Sequence, residues 1–350
     1  MKTYTHVFEK IISLENLFVA WDSFRNDKRN KKDVRFFEWN LEENIFQLHR
    51  ELEHKTYKHG PYSGFYIHDP KQRHIHKALV RDRALHHAIC NIIGPIFEPT
   101  FIKASFSCRI GFGTHKGIDF LERTLRRVSK NDTEECFVLK CDIQKFFDTM
   151  DHDVLFSILK KKIRDENALW LLNEVIESFA SPHSNLLERK GVPIGNLTSQ
   201  LFANIYMNEF DQFVKHRLKV KNYVRYTDDF AIIASDSDYL KNLIDPISVF
   251  IENGLRIKLH PNKVSIRKFH QGIDFLGYII FPHHRLVRTR TRKRFFSKIQ
   301  RKIEEFQRGY IKEKTLENSI KSYLGVLSHA NAYLLSEKLR NQFYFWLHNV

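Results

Sequence analysis

Two apolar, β-prone runs in this chain end on carboxylates, and no other feature constrains its fold as strongly. Phe137-Val138-Leu139-Lys140-Cys141 runs directly into Asp142, and Tyr223-Val224-Arg225-Tyr226 is separated from Phe230-Ala231-Ile232-Ile233 only by Thr227-Asp228-Asp229. Runs of this composition read as buried strands, and the second pair, with so short a connection, reads as a tight hairpin. An unpaired carboxylate is costly to bury, so a fold built on these strands must bring the acids to a cation, to water or to one another. Asp142, Asp228 and Asp229 are therefore candidates for one cluster. Clustered carboxylates raise one another's pKa unless a cation neutralises them. Mg²⁺ suits the role, because it takes oxygen ligands and is commonly held by one or two carboxylates plus substrate phosphates. Two such ions would activate a 3′-hydroxyl and stabilise leaving pyrophosphate in an in-line displacement. Asp-Asp is also ordinary turn chemistry, so the pattern alone admits a structural reading.

Charge narrows the partner. Lys and Arg number 57 against 41 Asp and Glu, a net +16 that favours a polyanion, with nucleic acid the first candidate. The excess is concentrated: from Arg285 to Lys302 nine of eighteen residues are Lys or Arg and none is acidic. With 350 residues the chain holds about two domains' worth of material or one large subdivided domain. Its 30 Phe imply aromatic packing in the core. The four cysteines, Cys90, Cys108, Cys136 and Cys141, are too few for a secreted disulfide scaffold and fit a reducing compartment. No apolar stretch has the length of a membrane span, and the first residues lack the apolar run of a signal peptide, so a cytoplasmic protein without membrane contact is expected. The His pairs His74/His76, His86/His87 and His283/His284 have no matching set at zinc spacing, and no structural zinc is expected.

Periodicity supplies the remaining elements. Helices are expected over the apolar stripes that begin at Leu14 and Leu41, with a basic loop from Arg25 to Arg35 between them. A basic hairpin is expected from Phe65-Tyr66-Ile67, a turn at Asp69-Pro70-Lys71, and Arg73 to Lys77. Further helices are read at Asp82–Ile93, Gly117–Val128, Asp153–Ile163, Ala168–Phe179, Leu197–Val214 and Tyr239–Ile251, with a loop from Ser181 to Arg189. Strands are read at Leu255–Leu259 and Phe275–Phe281, and everything beyond Pro282 is read as helical.

Tyr226-Thr227-Asp228-Asp229 resembles the Tyr-x-Asp-Asp box of reverse transcriptases, and Asp142 to Phe147 resembles their first catalytic motif. Gly191 to Gln200 is similar to the third core motif, Leu259–Ser265 and Gly272–Tyr278 to the last palm motifs, and Lys71–Arg83 and Ser105–Gly117 to the two fingers motifs. The order is the family's order, over roughly residues 60 to 280. The resemblance implies an α+β right-hand polymerase with fingers, a palm built on an antiparallel sheet, and a helical thumb. It divides the chain into a helical N-terminal extension (1–60), fingers (61–135), palm (136–152 and 190–281), a helical connection (153–189) and thumb (282–350). It implies RNA-directed DNA synthesis with two Mg²⁺ ions, or Mn²⁺ in their place, bound by Asp142, Asp228, Asp229 and the main-chain carbonyl of Ile143. Lys71 and Arg73 would hold the triphosphate of the incoming dNTP. Phe147 would lie under its sugar, and on a strand Phe146 and Phe147 would face opposite ways, so only one can serve there. Lys263 would protonate pyrophosphate, and Gly195 would let the backbone approach the nucleotide pair. Arg288, Arg290, Arg292, Lys293 and Arg294 would lie along the template-primer backbone. For Lys71, Arg73 and Lys263, a role as plain surface charges remains an alternative.

The third motif departs from the family's usual Gln-Gly and Ser-Pro. Ile194 stands in place of Gln and Gln200 in place of Pro. Ile-Gly-Asn-Leu-Thr-Ser-Gln resembles the enzymes of diversity-generating retroelements, which copy a template RNA unfaithfully at adenines. That placement implies a template RNA, a cDNA or primer, and a small basic accessory protein as partners. Ile194 offers no amide hydrogen bond, so geometry at the nucleotide pair would be policed by shape alone. An antiphage-defence or compact intron-type reverse transcriptase is the alternative, and a non-catalytic RNA-binding scaffold a third. No RNase H or endonuclease segment is expected after the thumb.

Overall fold

Alternation along three central strands builds two cores at once. In the computed structural model, which describes residues 2–68, 72–185 and 188–348, the central antiparallel sheet has the order β4-β5-β3-β6. Its strands are β3 (Phe137–Cys141), β4 (Tyr223–Tyr226), β5 (Asp229–Ala234) and β6 (Ser265–Lys268). Successive side chains on a strand face opposite sides. Leu139 and Cys141 of β3, Tyr223 of β4, and Phe230 and Ile232 of β5 pack into one core, shared with the N-terminal helices and the long helix Leu197–Gln212. Val138, Val224, Ala231 and Ile233 pack into a second core, shared with helix Thr114–Val128 and the C-terminal helices. Both faces are buried, which is why these strands read as continuous apolar runs.

The basic hairpin forms as expected, with β1 (Ser63–Ile67) antiparallel to β2 (Arg73–Lys77). The expected turn residue Lys71 lies outside the described residues. A further three-stranded sheet, β7 (Ile273–Phe275), β8 (Tyr278–Ile280) and β9 (Arg285–Val287), carries the chain from the central sheet to the last three helices, Thr289–Gln307, Glu313–Leu327 and Tyr333–His348. This architecture is that of a right-hand polymerase.

Several elements differ from the sequence reading. Leu255–Leu259 is no strand: helix Ser237–Leu255 runs to its first residue, Arg256 turns left-handed at φ 49°, and only Leu259 forms an isolated bridge, to Ile143. The single strand expected over Phe275–Phe281 is a hairpin, folded by positive φ at Leu276 and Gly277 (49° and 91°). The same β-prone composition serves either, and the turn is set by two left-handed residues that periodicity does not report. The segment after Pro282 begins as β9 rather than helix, because Arg285 satisfies its guanidinium on Asp119 (2.9 Å) and Glu122 (2.8 Å). The expected basic loop Arg25–Arg35 gives way to helix Lys32–Trp39, which buries Val34 and Phe37. Phe146 and Phe147 lie on a short helical turn, Phe146–Thr149, not on a strand.

Candidate active site

The central sheet sets the three acids together by register. Cys141 pairs with Phe230, so Asp142, one residue on, comes opposite Asp229. Tyr226 pairs with Asp229 to close the β4–β5 hairpin, leaving Thr227 and Asp228 as its loop. Thr227 has φ 57°. Primed hairpin turns ordinarily give that conformation to Gly, Asn or Asp, and a β-branched residue there is strained. Two contacts hold it: the Thr227 hydroxyl donates to Ser107 Oγ (2.6 Å), and the Arg225 guanidinium donates to the Thr227 carbonyl (2.9 Å).

Arg225 is itself fully buried, and its charge is met by an equally buried Asp211 on the long helix, with Nε and a terminal nitrogen at 2.7 and 2.6 Å from the two carboxylate oxygens. Tyr223 donates to the same carboxylate at 2.8 Å. The backbone of Arg225 joins the segment after Lys103, its N–H donating to the Ala104 carbonyl (2.9 Å) and its carbonyl accepting from Phe106 (3.0 Å). The turn that carries Asp228 is thus held from the helix, from the neighbouring segment and by its own strands. Sequence reasoning missed Asp211, Arg225 and Ser107. The available signal was a charged residue inside the apolar run Tyr223–Tyr226.

The carboxylates are not three open ligands. Asp142 and Asp228 share a side-chain hydrogen bond, and burial followed by the Asp142 charge pushes Asp228 up to about 7. Burial pushes Asp229 up to about 6 against the pull of Lys140, whose ammonium lies 3.4 Å from Asp229 Oδ2. Asp142 also receives the ammonium of Lys263. Among the described residues no three His, Cys, Asp or Glu side chains are gathered as a ready-made metal cage. Lysine ammonium groups stand against two of the three acids, Lys263 on Asp142 and Lys140 on Asp229. The donor set still fits a hard divalent ion. It offers only oxygens, it holds two carboxylates against each other in a way that calls for positive charge, and Asp229 Oδ1 is buried with no hydrogen-bond partner. Ile143 sits at the non-hydrogen-bonded position of its bridge to Leu259, flanked by bonds from Gln144 N–H to the Lys258 carbonyl (2.9 Å) and from His260 N–H to the Asp142 carbonyl (2.8 Å). Lys140 escaped sequence reading, although i, i+2 spacing places it on the face of Asp142. Cys141, on the opposite face, is pushed up to about 12 by burial and the neighbouring acids and is an inert thiol.

A cleft runs beside the acids, lined by Lys140, Asp142, Asp229, Lys263, Arg267 and Asp274 among others. Phe146 is buried and Phe147 half-buried beside it, its carbonyl accepting from Val192 (2.8 Å). The Ile194 carbonyl accepts from His76 of the basic hairpin (3.1 Å). Gly195 has φ 108°, and a Cβ there would stand 2.8 Å from Ile75 Cγ2, so the hairpin and the third motif touch where only glycine fits. Arg73 is exposed at the start of β2. Of the basic run, Arg290, Arg292 and Lys293 are exposed on the first turns of their helix. Arg294 lies over the Phe295 ring, and Arg288 is half-buried and paired with Asp274, so it ties that helix to β7.

A family model described as "Reverse transcriptase (RNA-dependent DNA polymerase)" matches residues 67–280. The chain is similar to protein YkfC of Escherichia coli K12, with 26% identity over 61% of this chain and 62% of that protein. It is also similar to the group II intron-encoded protein LtrA of Lactococcus lactis subsp. cremoris, with 23% identity over 86% of this chain and 57% of that one. The chain thus spans about three-fifths of the length of these curated relatives. Among solved structures, telomerase from Candida albicans in complex with a fragment of telomeric RNA has a similar fold, with a TM-score of 0.50 and 13% identity over 90% of this chain and 60% of that one. Since the matched model covers more than half of the chain and includes all three acids, the chain belongs to the reverse transcriptase family.

Proposed function

We propose that this protein is an RNA-directed DNA polymerase that extends a primer along a template RNA using dNTPs. The observation that carries the reading is the placement of Asp142 and the Asp228-Asp229 turn on adjacent strands in a chain of this family. Divalent ions bound there would activate the primer 3′-hydroxyl and stabilise the leaving pyrophosphate. Asp142, Asp228, Asp229 and the Ile143 carbonyl would hold them. Displaced from Asp142, Lys263 would be free to donate a proton to pyrophosphate, while Lys140 fixes the orientation of Asp229. Lys71 and Arg73 would bind the triphosphate, since phosphate oxygens take Lys point charges and the Arg fork. Phe147 would exclude a 2′-hydroxyl, and Arg288, Arg290, Arg292, Lys293 and Arg294 would line the duplex backbone with sequence-independent, salt-sensitive contacts. Purified protein with Mg²⁺, an RNA template and a DNA primer is expected to make cDNA; a chain that binds RNA without synthesis would reduce the protein to a scaffold.

The finer reading is an enzyme of the diversity-generating type, error-prone at adenines, working in the cytoplasm with a small basic accessory protein. Ile194 and Gln200 support it, because the amide that the family usually offers at the nucleotide pair is absent. Ile194→Gln is expected to lower misincorporation opposite adenine in sequenced cDNA, and an unchanged error spectrum would remove that role from Ile194. Use with a dedicated non-coding RNA in defence against phage is the alternative.

A further inference from the structure

His152 does more than its own helix requires. It is buried, it is the first residue of helix His152–Lys162, and its backbone N–H donates to the Arg189 carbonyl (3.1 Å). A helix N-terminus favours acids over cations. Both ring nitrogens nonetheless face acceptors. Nε2 lies 2.7 Å from the Gly191 carbonyl, and Nδ1 lies 3.0 Å from Oε1 of Glu177, the last residue of helix Glu166–Glu177. A carbonyl only accepts, so the Nε2 proton goes to Gly191. Glu177 remains an acceptor as well, because Arg189 Nε stands 2.8 Å from its other oxygen. His152 therefore donates from both nitrogens. The other acids at this helix start are engaged elsewhere: Asp151 accepts from Val154 N–H (3.0 Å) and faces Arg256 (3.3 Å), and Asp153 is exposed.

The carbonyl that His152 holds lies where the third motif crosses the first. Gly191 N–H donates to the Met150 carbonyl and Val192 N–H to the Phe147 carbonyl, both at 2.8 Å. The Gly191 carbonyl and the Val192 N–H belong to one planar peptide, so they turn together. A donor on the first fixes the direction of the second, and with it the bond to Phe147. Gly191 has φ 102°, and a Cβ on it would stand 2.6 Å from Ser181 Cβ, so only glycine passes here. Ser181 closes the other side, its hydroxyl donating to the Asp148 carbonyl (2.6 Å) and its N–H to the Lys190 carbonyl (2.8 Å). Asp142, Asp228 and Asp229 take no part in this network.

We propose, resting on the polymerase reading above, that His152 is a positioning residue for nucleotide selection. Held by Glu177, it fixes the Gly191–Val192 peptide and so the separation between Phe147, under the sugar, and the third motif that continues to Ile194 and Gly195. Without the donor to Gly191 the peptide turns and the Phe147 turn loses a tie. A 2′-hydroxyl is then tolerated and a dNTP is held less firmly, while the carboxylates keep their places.

Primer extension on poly(U) with an oligo(dA) primer measures kcat and KM for dATP and for ATP, which differ only at the 2′ position. Asparagine reproduces the Nδ1 donor of histidine and glutamine the Nε2 donor, so the two substitutions separate the Glu177 contact from the Gly191 contact. His152→Asn should raise the dATP KM and lower the preference for dATP over ATP, each about three- to tenfold, the worth of one buried hydrogen bond, with kcat for dATP nearly unchanged. His152→Gln should restore most of both. Glu177→Ala, at a partly exposed side chain, should shift both in the same direction by less. A role in stability alone would lower the melting temperatures of His152→Asn and His152→Gln alike and move neither KM nor sugar preference. Unchanged KM and preference in a folded His152→Asn, or in Glu177→Ala should His152→Asn not fold, would overturn the proposal, as would equal shifts in His152→Asn and His152→Gln or a loss confined to kcat. No cDNA from the unaltered chain would sink the polymerase reading and this inference with it, an outcome distinct from synthesis whose sugar preference ignores His152.

Discussion

Asp211→Asn should unfold the protein more readily and disable the hairpin turn in one step. Both members of the Asp211–Arg225 pair are fully buried, and Asp211 accepts from two Arg225 nitrogens and from Tyr223. Removing one charge leaves the other uncompensated, a cost of about 3–5 kcal/mol. That is a large part of the roughly 5–15 kcal/mol by which domains are stable. Replacing both partners with apolar side chains, as in Asp211→Leu with Arg225→Met, should recover most of that loss, because the desolvation of both charges disappears with them. The double variant nonetheless lacks the Arg225 bond to the Thr227 carbonyl, so the turn carrying Asp228 loses one of its two clamps. Urea unfolding followed by circular dichroism, alongside primer extension, separates the effects: the single variant loses stability and activity, and the double variant regains stability without activity. A cost below about 1 kcal/mol for Asp211→Asn, within the range of an exposed pair, would refute the energetic argument. Full activity in the double variant would refute the clamp.

Thr227→Gly should be more stable than Thr227→Ala by about 1 kcal/mol, since both lose the Ser107 contact and only glycine relieves the positive φ; equal unfolding midpoints would mean the turn is unstrained. The raised values of Asp228 (about 7) and Asp229 (about 6) mean that the metal-free folded state holds more protons than the unfolded one between about pH 4 and 7. Their contribution favours folding at low pH and is lost as pH rises through that window. Mg²⁺ should therefore raise the melting temperature more at pH 8 than at pH 5.5, and an equal rise at both would contradict the coupling.

What the sequence made legible was the chemistry and its immediate strands. β3 and the hairpin β4–β5 follow from apolar alternation that faces two cores, and the acids stand out because nothing apolar explains them. Elements set by left-handed residues were not legible: Arg256 ends a helix where a strand was expected, and Leu276 with Gly277 folds one expected strand into two. Nor were elements held by remote ion pairs. β9 depends on Asp119 and Glu122, distant in sequence from Arg285, and the turn at Asp228 depends on Asp211 in another element. The lysines that cover Asp142 and Asp229 belong to the same class, since their partners are chosen by register rather than by spacing.

The central claim is that Asp142 and Asp228 together carry out nucleotidyl transfer. Incorporation of labelled dNTP on a primed RNA template, with Mg²⁺, in the unaltered chain and in Asp142→Asn and Asp228→Asn of unchanged melting temperature tests it most directly. The unaltered chain is expected to make cDNA, and neither variant is expected to make any above background. Synthesis retained by a folded Asp228→Asn would contradict it.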